Sequence, residues 1–562
     1  MIKSKNGIKP IEIIVTNLGK TVEVEGGITL AEISDALKVE LGFEPICARV
    51  NNKTEGLHYQ VYGPKIVEFL DRRSDSGQRV YTRSLCMMLY HAVRTTYPDA
   101  RLRIEHSVSN GYFCSITGVV ADETTTATLK AALDRLHRDN LPFEFHTRPA
   151  HEVIEMFRNE GLDSKVRLLQ TTGTPYSSYY TLGEVADSYY GCLAPRTGFI
   201  DVYELTPYRG DGFLLRGFDT KNPAVAPDAV VQDKMYKAFT DHVEFNRIIG
   251  VSNVGELNEH IEKGRPADLI NVAETLHDQR LGLISDEIAR RHRAGGAKIV
   301  LIAGPSSSGK TTTTKRLSIQ LMTHLLKPVM ISLDDYFVNR VNTPRDEHGD
   351  YDYESLYALD IEQFNTDLNR IIAGEEVELP SYSFETGERR YRGNRVKLDD
   401  NSIILIEGIH GLNPELTAHI EDKEKFRVYV SALTTLAIDD HNWIPTTDNR
   451  LLRRIVRDFK YRGIDAAETI ARWPSVRRGE EKWIFPFQEN ADAMFNSSLL
   501  FELAVIKDYA TSVLDRVQPD CPQYATAYRL KKFLGYFRRI DASAVPPTSL
   551  LREFVGGSSF HY

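Results

Sequence analysis

The sequence predicts a multidomain chain of mixed α/β and α+β class, with a C-terminal half built on a mostly parallel sheet. Three observations carry that expectation. The chain has 562 residues, more than one hydrophobic core organises, so three or more domains are expected. Strand-length apolar runs recur at 299–303, 329–333, 403–406 and 426–430, with helical patterning between them. That alternation is the mark of a parallel sheet covered on both faces, with ligands at the carboxyl ends of its strands. Finally, the run Gly304-Pro305-Ser306-Ser307-Ser308-Gly309-Lys310-Thr311 satisfies G-x-x-x-x-G-K-[ST] between an apolar strand (298–303, KIVLIA) and a helical segment (312–321). Strand, glycine-rich loop and helix are what a phosphate cradle requires.

Composition bounds the rest. Hydrophobic content of 42% and charged content of 26% describe an ordinary globular protein. A net charge of −9 argues against a general nucleic-acid coat, though not against a local basic patch. Cys47, Cys86, Cys114, Cys192 and Cys521 are scattered, odd in number and in no C-x-x-C pair, as expected of reduced thiols. The opening MIKSKNGIKPIEIIV has no long apolar h-region, and no apolar run approaches the ~18 residues of a membrane span. A soluble cytoplasmic protein is expected.

Taken in order, residues 1–70 form the first unit. The segments 11–15 and 21–24 alternate apolar and polar residues around Asn17-Leu18-Gly19-Lys20, a hairpin pattern. Helical spacing runs over 29–41 with Thr29 as N-cap, and further strands are expected at 48–52 and 65–70. This pattern resembles the TGS domain, a small β-grasp module of threonyl-tRNA synthetases and some GTPases. Residues 71–225 continue that resemblance. The segment 82–93 (TRSLCMMLYHAV), Tyr97-Pro98-Asp99-Ala100, Asn110-Gly111-Tyr112-Phe113 and Leu141-Pro142-Phe143 look like the second domain of threonyl- and alanyl-type synthetases, which hydrolyses mischarged tRNA. That family's site uses H-x-x-x-H and C-x-x-x-H. The matching positions here are Arg83, Met87, Cys192 and Arg196. Arginine stays protonated and cannot serve as neutral ligand or base, so a retired hydrolase site kept as a scaffold or binding surface is expected. His91, one turn beyond Met87, reads as a satisfied structural histidine. Residues 226–280 are a helical connector, opened by the break at 222–227. Residues 281–515 are the α/β unit, and 516–562 are a helix (524–537) and a tail to which the sequence assigns no function.

Within 281–515 the residues of phosphoryl transfer fall at sensible places. Gly304, Ser306, Ser307, Ser308, Gly309, Lys310, Thr311 and Thr312 form the nucleotide-binding set. Glycines let N–H groups turn toward phosphate, and the helix N-terminus favours an anion. Lys310 would reach the outer phosphates and Thr311 would put its hydroxyl on Mg²⁺. Strand 329–333 ends in Asp334-Asp335, and strand 403–406 ends in Glu407-Gly408. A strand-tip carboxylate beside a phosphate loop can ligate Mg²⁺ or take the acceptor proton. Arg450, Arg453, Arg454, Arg457 and Arg462 recur at helical spacing, and the apolar side made by Leu451, Leu452, Ile455 and Val456 lets that helix dock as a lid. Arg454 and Arg457 are read as catalytic, Arg450 as a substrate contact.

These motifs resemble the uridine kinase and phosphoribulokinase family. The phosphate loop, Leu333-Asp334, Tyr351-Asp352, Pro380-Ser381-Tyr382-Ser383-Phe384, Ile406-Glu407-Gly408 and the arginine helix stand in the family's order. The resemblance implies that Thr311, Asp334 and Glu407 surround Mg²⁺, with Asp334 the general base. It further implies that Asp352 holds ribose hydroxyls and that Tyr382 faces the base. Two positions depart from it. Gly387 stands where uridine kinases carry a histidine, and Phe337 where they carry a tyrosine. Losing two recognition groups weakens discrimination for uridine itself. The expectation is an ATP- and Mg²⁺-dependent kinase of a nucleoside, uridine or cytidine type, or of another small alcohol as in phosphoribulokinase. Its alternative is a nucleotide-switched tRNA- or RNA-binding regulator. Expected partners are ATP and the small acceptor, with tRNA, RNA or protein contact through the N-terminal domains, no membrane, and an oligomer left open.

Overall fold

The computed structural model describes residues 10–210, 212–347 and 349–561. The stretch 1–9, included above in the first unit, lies outside the described residues. Strand Ile11–Val15 turns through a 3₁₀ segment, Thr16–Leu18, into Lys20–Val24. Gly19 closes that turn in the left-handed region at φ 61°. The two strands join Lys65–Leu70, Cys47–Val50 and Lys53–Glu55 in one five-stranded sheet, with Ile11–Val15 parallel to Lys65–Leu70. Helix Leu30–Leu41 crosses it and buries Leu30, Ile33, Leu37 and Leu41. Thr29 caps this helix as the sequence expects. Its hydroxyl accepts the Glu32 N–H at 3.2 Å, and the Glu32 carboxylate accepts the Thr29 N–H at 2.9 Å. A mixed sheet grasping one helix is a β-grasp arrangement.

The second unit packs helix Asp75–Thr96 on a four-stranded antiparallel sheet, ordered Glu204–Tyr208, Gly212–Arg216, Gly111–Thr117, Arg101–Val108. A three-stranded sheet, Glu144–Pro149, Tyr176–Leu182 and Val185–Asp187, stands beside it. All five cysteines are free thiols.

The bound drawn between the connector and the α/β unit, at 280/281, falls inside a helix. Helix Pro266–Arg293 runs across it, and its buried face from Leu269 to Ala289 shares one core with Val300, Ile302 and Val428 of the next sheet. An amphipathic face that continues in register gives the chain no reason to stop there. The C-terminal helices Glu502–Leu514 and Tyr524–Leu534 and the short helix Arg552–Val555 join that core through Val505, Leu530 and Phe554.

The central sheet has five strands, all parallel, in the order Lys327–Ser332, Ser402–Glu407, Ile299–Ala303, Lys425–Ser431, Ala493–Asn496. The four predicted runs are four of these strands. The fifth is four residues long (AMFN) and too short to show a pattern. Ile299 to Ala303 are at most 1% exposed, as strands covered on both faces require. A two-stranded hairpin, Val377–Ser383 with Glu388–Val396, stands apart from the sheet. A second hairpin, Ala437–Asp439 with Asn442–Trp443, reaches into the second unit. There the Ile104 N–H donates to the Asp440 carbonyl at 2.8 Å, and Lys165 Nζ lies 2.8 Å from Asp187 and 2.9 Å from Asp439. His441 Nδ1 meets the same Asp187 at 2.8 Å, and the Tyr112 and Trp443 rings pack 4.4 Å apart. Burial alone would push the Lys165 ammonium down, but the two carboxylates hold it above its usual range. Among the described residues no helix is long and apolar enough to cross a membrane.

Candidate functional site

The loop from Gly304 to Thr311 leaves the carboxyl end of the central strand Ile299–Ala303 and enters helix Lys310–Thr323. Ser307 (φ 58°) and Gly309 (φ 84°) both take left-handed backbone, which turns the loop over on itself. A side chain at Gly304 would collide with the Val430 carbonyl, so the loop rests directly on the neighbouring strand. Donors tie the loop's carbonyls back. Arg450 Nε donates to the Ser306 carbonyl at 2.9 Å, Arg453 to that of Ser307 at 3.5 Å, and the Ser497 hydroxyl to that of Ser308. Two of the loop's amides are also engaged: the Ser306 N–H donates to Glu480 at 3.1 Å and the Ser308 N–H to the Pro305 carbonyl at 3.2 Å. The Ser307 and Ser308 hydroxyls are buried and find no hydrogen-bond partner among the described residues.

Lys310 Nζ donates to the Pro305 carbonyl at 3.2 Å. Three carboxylates stand in its field: Asp334, Glu354 and Glu407. Thr311 Oγ1 donates to both oxygens of Glu407, at 3.0 and 3.1 Å. Burial pushes the Glu407 carboxyl up to about 7; Lys310 opposes the shift, while Asp334 and Glu553 add to it. Burial likewise pushes Glu354 up to about 7, with Glu480 adding and Arg454 and Lys310 opposing. Asp334 is exposed, yet protein crowds around its carboxyl. That desolvation raises its pKa, against Lys310, Arg462 and Arg457. Crowded hard-oxygen donors facing one ammonium suit Mg²⁺. Two strand-tip carboxylates and the Thr311 hydroxyl therefore fit the ion that a phosphate loop implies.

The arginine helix is observed as Thr446–Arg462, but its roles divide differently from the expectation. Arg450 is 1% exposed and Arg453 0%. Arg450 pairs with Glu480 and lies 5.4 Å from the Trp473 ring, and Arg453 pairs with Glu502 at 2.5 Å. Arg450 is therefore a strut beneath the loop and not a substrate contact, because no acceptor can reach a guanidinium so enclosed. Leu451, Leu452, Ile455 and Val456 belong to the main core, so the helix is docked along its apolar side as a wall of the crevice. Arg454 does face the loop, donating to the Ser306 hydroxyl at 2.8 Å. Arg457 and Arg462 share Asp458 and act on Asp334 electrostatically.

On the acceptor side, Tyr382 packs with Phe337 at 5.5 Å and Phe384 at 5.2 Å, and its N–H donates to Asp335 at 3.1 Å. Phe384 is 52% exposed, which leaves an aromatic wall open to a ligand. Asp352 bonds within its own turn, accepting the Glu354 N–H at 3.2 Å. Glu354, two residues on, is the side chain that faces Lys310. At Gly387 (φ 73°) any side chain would meet Arg340, which fills that space and donates to the Phe384 carbonyl.

Sequence reasoning missed Glu354, Glu480, Glu553 and His410. Glu480 accepts the Ser306 N–H at 3.1 Å, and Glu553 accepts the Thr312 hydroxyl at 2.6 Å. Burial pushes His410 down to about 4, with the Ser355 backbone opposing and Lys310 adding. Glu354 had a signal, an acid two residues after Asp352; the glutamates at 480 and 553 had none.

In the second unit, of the four positions the sequence matched to the synthetase site, Arg83 and Cys192 meet. Arg83 donates to the Cys192 carbonyl at 3.0 and 3.2 Å, filling the space over Gly191. Met87 is wholly buried, and Arg196 turns out to the Asn140 carbonyl at 3.0 Å. Burial pushes the Cys192 thiol up. His91 is not fully satisfied, since its buried Nδ1 finds no partner among the described residues.

Residues 299–500 match the model of the Phosphoribulokinase / Uridine kinase family. A uridine kinase of Halobacterium salinarum is 27% identical over 192 residues, 34% of this chain and 76% of that one. A threonine–tRNA ligase of Clostridium botulinum is 23% identical over 261 residues, 46% of this chain but only 39% of the ligase. A solved structure described as a possible uridine kinase from Bacillus stearothermophilus is 24% identical, covering 38% of this chain and 97% of that one, with a TM-score of 0.26. The chain thus carries, over residues 299–500, a P-loop kinase domain of the Phosphoribulokinase / Uridine kinase family, joined to a region similar to threonine–tRNA ligases.

Proposed function

We propose that this protein is an ATP-dependent kinase that transfers the γ-phosphate to a hydroxyl of a nucleoside or similar small molecule, with uridine-type 5′-phosphorylation the leading case. One observation carries the reading: Lys310, Thr311, Asp334 and Glu407 meet at the carboxyl ends of neighbouring parallel strands. The loop from Gly304 to Thr312 cradles the phosphates, and Lys310 neutralises the outer ones. Thr311, Asp334 and Glu407 are the residues that would hold Mg²⁺, which when bound draws charge from the phosphate oxygens. Asp334 takes the proton from the acceptor hydroxyl as the new O–P bond forms and the bond to the departing ADP breaks. A carboxylate raised above its usual pKa suits that task. Arg454 and Arg457 stabilise the charge on the transferred group. Tyr382 and the Phe337 and Phe384 rings receive the acceptor, and Asp352 holds its hydroxyls. ATP-dependent mass gain, assayed over a panel of nucleosides and sugar phosphates, tests the reading. Turnover of none of them sinks it.

A second reading rests on the likeness to threonine–tRNA ligases, in which the first 225 residues bind tRNA or another RNA and nucleotide binding is the switch. The net charge of −9 weighs against it. Filter binding of tRNA with a steep negative salt slope, together with no acceptor turnover, would favour it.

A further inference from the structure

The C-terminal tail has no role in the reading above, yet it ends on the phosphate loop. Leu550 is fully buried and packs against the Cα of Gly309, where any side chain would meet its methyl groups. One turn later, Glu553 Oε2 accepts the Thr312 hydroxyl at 2.6 Å and lies 3.4 Å from the Thr312 amide nitrogen. Thr312 is in the first turn of the loop's helix, where amides lack intrahelical partners and the helix dipole favours an anion. The tail is clasped to the arginine helix. Lys460 Nζ donates to the Val555 carbonyl, and the Arg453 guanidinium lies 5.0 Å from the Phe554 ring. Arg552 closes the segment on itself, donating to the Ala542 carbonyl at 2.9 Å and that of Gly556 at 3.1 Å.

We propose that residues 546–556 are an intramolecular competitor of the nucleotide, with the Glu553 carboxylate holding donors that an arriving phosphate must take. The proposal rests on the phosphate-cradle reading. A carboxylate presents the same kind of anionic oxygen as a phosphate, and the Thr312 hydroxyl and amide cannot serve both. Two anions would also repel across that short gap. Nucleotide binding therefore expels Glu553. Because Leu550, Phe554 and Val555 travel with it, the tail leaves both Gly309 and the arginine helix. The phosphate site and residues 546–556 are then coupled: whatever fastens this segment weakens nucleotide binding, and nucleotide frees it.

Equilibrium titration of a fluorescent ATP analogue into the full chain tests this, comparing wild type, Glu553→Gln and Lys310→Ala. Glutamine keeps the shape and removes the charge. Glu553→Gln is expected to bind the analogue about 5- to 10-fold tighter, the order of effect of one partly buried charge at a helix N-terminus. An unchanged or weaker affinity overturns the proposal, the weaker result marking Glu553 as a ligand of the nucleotide. Hydrogen exchange on the wild type gives a reading independent of any variant. Protection of 549–556 should fall when the analogue saturates the site, and unchanged or greater protection overturns the proposal. If Lys310→Ala binds the analogue as wild type does, the cradle reading fails and the proposal falls with it. With Lys310 essential and Glu553→Gln unchanged, the proposal fails alone.

Discussion

At Glu407 two demands meet on one carboxylate. It is desolvated at the tip of a buried strand and faces Asp334, yet Lys310 and the Thr311 hydroxyl both favour its charge. Burial wins in the nucleotide-free protein, lifting the pKa from 4.5 to about 7. The unfolded chain releases this proton near 4.5, while the folded chain keeps it to about 7. Stability from this group is therefore full below the lower value, declines as pH rises between the two, and is level above. Glu354 acts in the same direction over the same window. We expect the thermal midpoint of the wild type to drop between pH 5 and pH 7 more steeply than that of Glu407→Gln, measured by calorimetry without nucleotide. Equal slopes would show that Glu407 is solvated and unshifted. Lys310 is the cation the other groups face. Lys310→Ala should lower phosphoryl transfer by about 10²-fold or more, the scale of losing one preorganised charge-stabilising donor. A circular dichroism spectrum matching wild type would assign the loss to chemistry. Asp334→Asn should reduce kcat by at least ~10²-fold if Asp334 is the base; a mild effect would move that role elsewhere.

The arginine helix Thr446–Arg462 shows how one element serves support and chemistry from different faces. Arg450 and Arg453 lie on its buried side, against Glu480 and Glu502, and hold the carbonyls of Ser306 and Ser307. Arg454 and Arg457 lie about one turn along and look into the crevice. Removing one partner of a buried pair strands the other charge. Arg453→Ala should therefore cost roughly 3–5 kcal/mol in urea unfolding. Arg457→Ala leaves Asp458 still paired with Arg454 and Arg462, so it should unfold close to wild type while losing turnover. If the two variants lost equal stability, the division into strut and reacting face would be wrong.

Across the whole molecule, the hairpin Ala437–Asp439 and Asn442–Trp443 joins the kinase domain to the second unit. It precedes the arginine helix by only a few residues. Its contact is polar and dry: Lys165 is 1% exposed, Asp187 0% and Asp439 2%. Such a network is satisfied only as a set. Lys165→Met should leave Asp187 and Asp439 short of a cation and destabilise the chain by roughly 3–5 kcal/mol. Urea denaturation checks this, and a loss under 1 kcal/mol would mean that water already reaches the contact. The second unit is therefore joined to the kinase domain through a buried polar contact next to the arginine helix.

The phosphate loop, its strand and helix, the strand-tip acids and the Thr29 cap were legible in the sequence, because each is a local device whose residues are neighbours. The apolar runs of the central sheet were legible for the same reason, save Ala493–Asn496, which is shorter than any usable period. Tertiary structure decided the rest. The arginine periodicity is the same whether a guanidinium points to solvent or to Glu480, so only packing could turn Arg450 from a ligand contact into a strut. Thr312 and Glu553 are 241 residues apart, and Lys165 and Asp439 are 274. No spacing rule spans such distances: charge pairing in a crevice is set by where the core brings the chain back, and that is a property of the fold alone.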